Sequence, residues 1–201
     1  MYQQIDQKFV ERDFSNAELR EGELHNCTFT RCRFRGTQLE EILTTHCQFL
    51  DCDFTGASLQ SSSHKVSAFT NCLFVGANLF VATFENCKMI GSDFASAQLG
   101  GITIQGGDWS YTNLRHAHLK KQQLRNIRLA EADLSECNLE KADLRDADLT
   151  RAILRKALLN GADLRGAKVN GIDFKSFDIK GVRIDFAQAI AFASSFGARV
   201  D

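Results

Sequence analysis

Apolar residues recur along this chain at every fifth position. From Phe9 to Ile184 the fifth residue is Phe, Leu, Ile, Val, Met or Trp in 34 of 36 places, with no insertion or deletion. The two exceptions are Thr44 and His64. The residue two positions before each of these centres is mostly small, being Ala, Cys, Ser or Thr. Because an internal repeat decides the whole fold, this period is the main constraint on the structure.

A period of five fits neither regular element. On an α-helix five residues advance about 140° beyond a full turn, so the apolar set would spiral around the surface. On a β-strand side chains alternate with a period of two, so an odd repeat would reverse the face each time. Both conflicts disappear if every pentapeptide contains a corner. The sequence therefore predicts a coil of short extended pieces whose centres and small residues point inward.

A longer period of 20 residues gives the number of sides. Phe stands at positions 9, 29, 49 and 69 and at 14, 34, 54, 74 and 94, and Leu stands at 19, 39, 59, 79 and 99. The pattern predicts an all-β, quadrilateral parallel β-helix over residues 1–185. About nine coils stacked about 4.8 Å apart give a rod roughly 43 Å long. Continuous ladder pairing also accounts for the absence of proline, which has no N–H to donate.

The C-terminal segment, residues 186–201, is predicted to be a capping and dimerisation helix with a short tail. Asp185 is a good N-cap and Gly197 a suitable residue just after the helix. Apolar residues follow at helical spacing, and one more lies to the side of that face. The predicted dimer interface consists of Phe186, Ile190, Phe192 and Phe196.

All seven cysteines occupy the small inward position two residues before a centre. A free cysteine behaves there as a small apolar residue. Stacked neighbours in a straight ladder lack the Cβ geometry of a disulfide, and a spacing of five matches none of the usual zinc patterns. We therefore expect buried structural thiols, with no metal site and no cofactor. The cysteines are Cys27, Cys32, Cys47, Cys52, Cys72, Cys87 and Cys137.

Two stretches weaken the repeat. His64 stands at a core centre within QSSSHKVSA, which favours a locally bulged corner there. The Gly-rich run 100–109 opens no helix and predicts another departure from the regular corners. The sequence contains no phosphate-binding loop, nucleophile elbow or zinc-protease motif. Because a filled solenoid also offers no catalytic pocket, we expect no enzymatic activity.

Composition and charge narrow the possible partners. The chain has 24 Lys+Arg against 25 Asp+Glu, and this balance argues against non-specific binding to nucleic acid or to a membrane surface. No apolar run approaches a membrane span, and Met1–Glu11 has no signal-peptide core, so we expect a cytoplasmic protein. Phe80 and Val81 are predicted to point outward together, as a candidate contact patch for a partner protein.

The ADLRx and xCxFx repeats resemble those of the pentapeptide-repeat proteins, over about 180 residues. That family implies a right-handed quadrilateral β-helix. Two stretches resemble its fluoroquinolone-resistance branches, the MfpA type and more distantly the Qnr type. They are SSSHKVSAFTNCLFVGANLFVATFENCKMIGSDF at 61–94 and VRIDFAQAIAFASSFG at 182–197.

This resemblance implies a function that the repeat alone does not. It implies a homodimer joined at its C-terminal end, shaped like duplex DNA, that binds DNA gyrase in the DNA site and lowers susceptibility to gyrase poisons. The candidate gyrase-facing acidic residues are Asp133, Asp143, Asp146, Asp148, Asp163 and Asp173. The projecting loops of the Qnr type are absent because the repeat never breaks phase, so any such activity is expected to reside in the rod surface. The alternative is a scaffold that binds another protein through Phe80.

Overall fold

The computed structural model describes residues 2–199, which form a four-sided parallel β-helix and one short C-terminal helix. Successive coils pair in a register of 20 residues, from Gln3 with Glu23 to Asp163 with Arg183. We number the coils from residues 7–26, the first, to 167–186, the ninth. We number the sides by their inward centres in the second coil, which are residues 29, 34, 39 and 44 for the first to fourth sides. The fold predicted from the period of five is confirmed.

Two sides form regular sheets, and the other two are held by single bridges. The strands are β1 (Gln3–Ile5), β2 (Lys8–Val10), β3 (Glu23–His25), β4 (Thr28–Thr30), β5 (Leu43–Thr45), β6 (Gln48–Leu50), β7 (Ser63–Lys65), β8 (Ala68–Thr70), β9 (Thr83–Glu85) and β10 (Thr103–Gln105). The fourth side is the six-stranded sheet β1-β3-β5-β7-β9-β10, and the first side is the four-stranded sheet β2-β4-β6-β8. The second and third sides pair through isolated bridges such as Asp13 with Arg33.

The chain turns its corners through the residue two positions after a centre, and φ there is positive from Asp6 to Gly181 with the exception of Ser176. The values run from 47° at Val66 to 77° at Gly171. Ten of the 14 glycines lie at such corners, where the lack of a Cβ removes the steric penalty. Asn and Asp, which tolerate this conformation, occupy several others. Val66 and Val81 are β-branched residues held in this region, which is rare and strained.

Stacked aromatic rings fill the N-terminal half of the interior. Phe49 lies 4.8 Å from Phe29 and 4.6 Å from Phe69, centroid to centroid, with the rings nearly parallel. These distances repeat the spacing of neighbouring strands, so each coil adds one ring to the stack. Trp109 closes the aromatic series, and from Leu114 onward the centres are mainly leucine. The interior is therefore continuous but changes composition in the middle of the rod.

Helix α1 (Phe186–Ser195) covers the C-terminal end, as predicted. Asp185 is its N-cap, with Oδ1 accepting a hydrogen bond from Gln188 N at 3.0 Å. The buried Gln188 side chain donates from Nε2 to Ala167 O at 2.8 Å and also bonds Leu164 O, which ties the helix to the solenoid. Gly197 follows the C-cap with φ 89°. With only 10 residues, α1 is far shorter than a membrane span, and residues 2–199 contain no other candidate.

Candidate interaction surfaces

The predicted burial of the cysteines is confirmed, since all seven are buried and free. The Cys72 thiol donates to Phe49 O at 3.4 Å. Burial raises the pKa of Cys47 and of Cys87 to about 11, and that of Cys137 to about 12. Because the thiolate is the reactive form, these thiols are inert at neutral pH. Among the described residues, no group of three or more His, Cys, Asp or Glu could hold a metal ion.

His64 is a buried core centre in β7, so the expected bulged corner is wrong. Its ring stacks on Phe84, with centroids 4.7 Å apart, and its Nε2 lies 3.0 Å from Ser62 Oγ. Nδ1 lies 2.9 Å from Thr44 Oγ1, whose own proton is donated to Ser67 Oγ. Nδ1 therefore donates to Thr44. Burial lowers the pKa of the ring to about 3, so the ring is neutral at pH 7 and Nε2 accepts from Ser62. Thr44 and His64, the two polar centres of the repeat, form a hydrogen bond between neighbouring coils, so both side chains can stay in the core.

The six acidic candidates are spread over three of the four sides. Asp143 and Asp163 are neighbours on the fourth side, and Asp148 lies on the first. Asp146 occupies the corner between those two sides. Asp133 and Asp173 lie on the second side, opposite the fourth, so no single face presents all six.

Most of these carboxylates take part in the rod's own structure. The Oδ1 atom of Asp163 accepts a hydrogen bond from the Arg165 backbone N–H at 3.2 Å, which closes the corner. Its Oδ2 pairs with Arg165 at 2.7 Å and with Arg183 at 3.3 Å. The Arg165 guanidinium lowers the pKa of this carboxyl to about 2. Similar pairs join Asp143 to Arg145, Asp146 to Arg125 and Asp148 to Lys168.

Helix α1 presents an apolar face away from the solenoid. Phe186 is 80% exposed and Phe196 57% exposed, with the half-buried Ile190 on the same face. Phe192 lies nearer the solenoid, where its ring meets the edge of Phe174 with the centroids 5.7 Å apart, and its other neighbour is the Phe196 ring, with the centroids 4.9 Å apart. Of the four predicted interface residues, Phe186 and Ile190 therefore face outward. Phe196 is exposed but packs on Phe192, and Phe192 packs within its own chain.

Phe80 and Val81 project from the corner between the third and fourth sides. The Phe80 ring lies on Gly100, where an added Cβ would come within 3.2 Å of Cδ2. Gly100 lacks a positive φ, so it is needed here for space rather than for backbone freedom. Val81 is 46% exposed and strained, with φ 59°. Together with Gly101, these residues form what we call the mid-rod patch.

The sequence reasoning missed that charge is unevenly distributed along the rod. Residues 54–107 contain only four charged side chains, Lys65, Glu85, Lys88 and Asp93, although charged residues make up 24% of the chain. Whole-chain totals hide this, whereas a sliding count over one 20-residue coil detects it. The mid-rod patch lies inside this sparsely charged zone, which favours contact with an uncharged surface.

Comparison with known proteins gives a consistent result for the fold. A family model described as "Pentapeptide repeat region" matches residues 77–152, and one described as "Pentapeptide repeats (8 copies)" matches residues 8–42 and 142–181. Together the two models cover more than half of the chain. No curated protein matches.

Three solved structures of one protein resemble the chain over almost its whole length. A trypsin-treated variant of QnrB1, described as a plasmid-mediated fluoroquinolone resistance protein, is 22% identical, with a TM-score of 0.85 over 99% of this chain and 100% of that one. A second trypsin-treated variant of QnrB1 is 23% identical, with a TM-score of 0.83 over 98% and 99%. Full-length QnrB1 is 21% identical, with a TM-score of 0.58 over 98% and 100%. At these identities the likeness concerns the fold.

Proposed function

This chain belongs to the pentapeptide-repeat family, and we propose that it is a non-enzymatic DNA gyrase-binding protein. In this proposal a homodimeric rod occupies the DNA site, modulates or inhibits the topoisomerase, and protects it from quinolone-type poisons. The observation that carries the proposal is the end-to-end match in fold to QnrB1, described as a fluoroquinolone resistance protein. The five-residue repeat, which has no inserted loop, and the outward apolar face of α1 support it.

The dimensions of the rod suit a DNA-binding site. Nine coils about 4.8 Å apart give roughly 43 Å, so two protomers joined end to end reach about 85 Å. At about 3.4 Å per base pair, this is the length of roughly 25 base pairs of duplex. The outer face of α1 lies at the C-terminal end of the rod, where pairing extends the rod along its own axis.

The charge distribution supports mimicry by shape more than by charge. The chain carries a net charge of only −1, and most of the candidate acidic residues are paired with Arg or Lys. Exposed ion pairs of this kind leave little unbalanced field beyond a Debye length of about 10 Å. Recognition of gyrase would then depend on the width and length of the rod, with local acidic contacts near the dimer centre.

A supercoiling assay with purified gyrase tests this proposal. We expect the protein at micromolar concentration to reduce supercoiling, and to reduce the cleaved DNA that ciprofloxacin traps on the enzyme. Both effects follow if the rod excludes DNA from its site. Absence of any change in supercoiling and in drug-induced cleavage at these concentrations would contradict the proposal.

The outer face of α1 is expected to join two protomers. Replacing Ile190 by Asp places a charge in the centre of this apolar face, so we expect a monomer where the native chain is a dimer. Phe186→Asp tests the same contact without risk to the fold, since Phe186 is 80% exposed and lies in the first turn, where Asp suits the helix dipole. Multi-angle light scattering gives the mass directly.

The matched control for these variants is Ala187→Asp, on the exposed flank of the same turn. It should stay dimeric and keep the native effect on gyrase. A dimer that persists in both Ile190→Asp and Phe186→Asp would reject the interface at α1. The monomeric variants also show whether gyrase requires the doubled length, because each contains one complete rod.

A second function is favoured by the mid-rod patch. An exposed aromatic ring beside a strained valine, in a sparsely charged zone, suits a scaffold that binds another protein. Phe80→Ser distinguishes the two functions. Under the gyrase proposal, this variant still reduces supercoiling by gyrase and still protects gyrase from the drug. Under the scaffold alternative the native protein does not affect gyrase, and Phe80→Ser loses its partner in a pull-down.

A further inference from the structure

The main-chain ladder is open between the fifth and sixth coils on two adjacent sides. One coil earlier, Leu79 N donates to Gln98 O at 2.9 Å. Leu99 N makes no equivalent bond to His118 O, although both residues lie well inside the described chain. On the third and fourth sides the N–H groups that lack this ladder bond are those of Leu99, Gly101, Ile104 and Gly106, and Ser96 lacks it at the preceding corner. The opening thus extends along the third and fourth sides.

The other two sides remain paired at the same level. Met89 N donates to Asp108 O at 2.7 Å and Phe94 N donates to Asn113 O at 3.0 Å. The Asn113 side chain adds a bond to the carboxylate of Asp93 at 2.7 Å. On the open sides, no side chain of the fifth coil can form an ion pair with the sixth coil, because residues 94–107 include no charged side chain. Two coils joined along two sides and parted along the other two have the geometry of a hinge.

Gln122 lies at the opening. It stands in the small inward position, which holds Ala117 in the preceding repeat and Ile127 in the next one, so Gln122 differs from both in being polar. Its side chain is only half-buried, and its Nε2 donates to Ile102 O at 2.7 Å. That carbonyl is the one that Gln123 N would reach in a closed ladder, so the side chain takes the place of a backbone bond between the two coils.

The ladder is also incomplete near the C-terminal end, at the level of an aromatic residue in the small inward position. Phe177 occupies this position in the ninth coil. There the bridges expected between Leu158 and Asp178, and between Ile153 and Asp173, do not form. Helix α1 covers that end of the rod, whereas the opening at Gln122 has intact coils on both sides.

We infer that the rod consists of two rigid halves, coils one to five and six to nine, joined by a hinge at this opening. Gln122 is the positioning residue that holds the hinge open. The first and second sides form the hinge line, and bending closes or widens the third and fourth sides. Aromatic stacking crosses this level on the closed sides, where the Trp109 ring lies 5.6 Å from that of Phe94. The open third and fourth sides have only aliphatic centres, which are Leu99, Ile104, Leu119 and Leu124. A hinge here lets the rod fit curved partner surfaces, whether or not the partner is gyrase.

Amide hydrogen exchange measured by NMR on the intact protein tests this inference. Within residues 99–106 the relevant amides are those without the ladder bond, of Leu99, Gly101, Ile104 and Gly106. In the native chain we expect them to exchange at least about tenfold faster than the equivalent amides of residues 79–86, one coil earlier. Gln122→Ala places a small side chain in the small inward position, so the backbone ladder should close. Exchange at 99–106 should then slow to within about threefold of residues 79–86. Emission of the buried Trp109, the only tryptophan, confirms that each variant is folded.

The matched control is Gln123→Ala, which removes an exposed, outward side chain next to Gln122. This variant should leave the fast exchange of residues 99–106 unchanged. Gln122→Ser, chosen to match the serines that occupy this slot at 62 and 92, should slow exchange as Gln122→Ala does. Slow exchange at 99–106 in the native chain would overturn the hinge. Fast exchange that persists in both Gln122 variants would overturn the role of Gln122.

Discussion

Replacing Leu134 by Asp is expected to unfold the C-terminal half of the rod. Leu134 is completely buried, at an inward centre of the second side in the seventh coil. An aspartate there loses the packing of the leucine and leaves a carboxyl group without a partner in a dry interior. We expect a loss of about 5 kcal/mol or more in the free energy of unfolding, comparable with the whole stability of many domains. Urea denaturation followed by circular dichroism measures this change.

Leu134→Met is the matched control, since it keeps the volume and the apolar character of the side chain. It should cost less than about 1.5 kcal/mol. Each repeat of a solenoid is stabilised mainly by its neighbours, so damage at one coil should spread along the chain less than in a globular core. Limited proteolysis of Leu134→Asp is therefore expected to spare the N-terminal coils. An unfolding midpoint for Leu134→Asp close to that of Leu134→Met would mean that the interior is not dry.

The repeat alone predicts the architecture because nearly every pentapeptide carries the same information. A corner in each repeat, four sides and a 20-residue register follow from positions of Phe and Leu, and the pairing of Gln3 with Glu23 has that register. Small residues two before each centre predict where the cysteines lie, since that slot faces inward in each coil. Consistency of this kind across many repeats is what specifies a single fold.

Features that depend on contacts between particular coils could not be predicted in this way. In the sequence His64 looks like a break in the pattern. The structure shows that it is not, because Thr44, one coil away, forms a hydrogen bond with its ring. The acidic residues read as a charged surface, because the sequence does not show that Asp163 closes a corner and pairs with Arg165. Gln122 is visible in the sequence as an outlier in the small slot, but its effect on the ladder depends on which carbonyl its side chain reaches.

Lowering the pH from 7.5 to 4.5 is expected to destabilise the native protein through His64. In the unfolded chain His64 has its ordinary pKa of 6.5, whereas burial lowers the pKa to about 3 in the folded protein. Between these values only the unfolded state binds the proton, so the free energy of unfolding falls as the pH falls, by up to about 1.4 kcal/mol per pH unit. The expected loss from His64 is about 3 kcal/mol at pH 4.5, with the remainder lost as the pH approaches 3.

The control is the double variant Thr44→Leu/His64→Phe, which continues the apolar column between Leu24 and Phe84. The other four histidines are exposed and present in both proteins, so the difference between the two isolates His64. Urea midpoints at pH 7.5 and 4.5 should differ strongly in the native chain and much less in the double variant. Working above pH 4.5 keeps the paired carboxylates ionised, since the interactions of Asp143, Asp148 and Asp163 hold their pKa values below the usual range. Equal losses in the two proteins would mean that His64 accepts a proton inside the folded rod, and that its contacts with Thr44 and Ser62 rearrange to hold the charge.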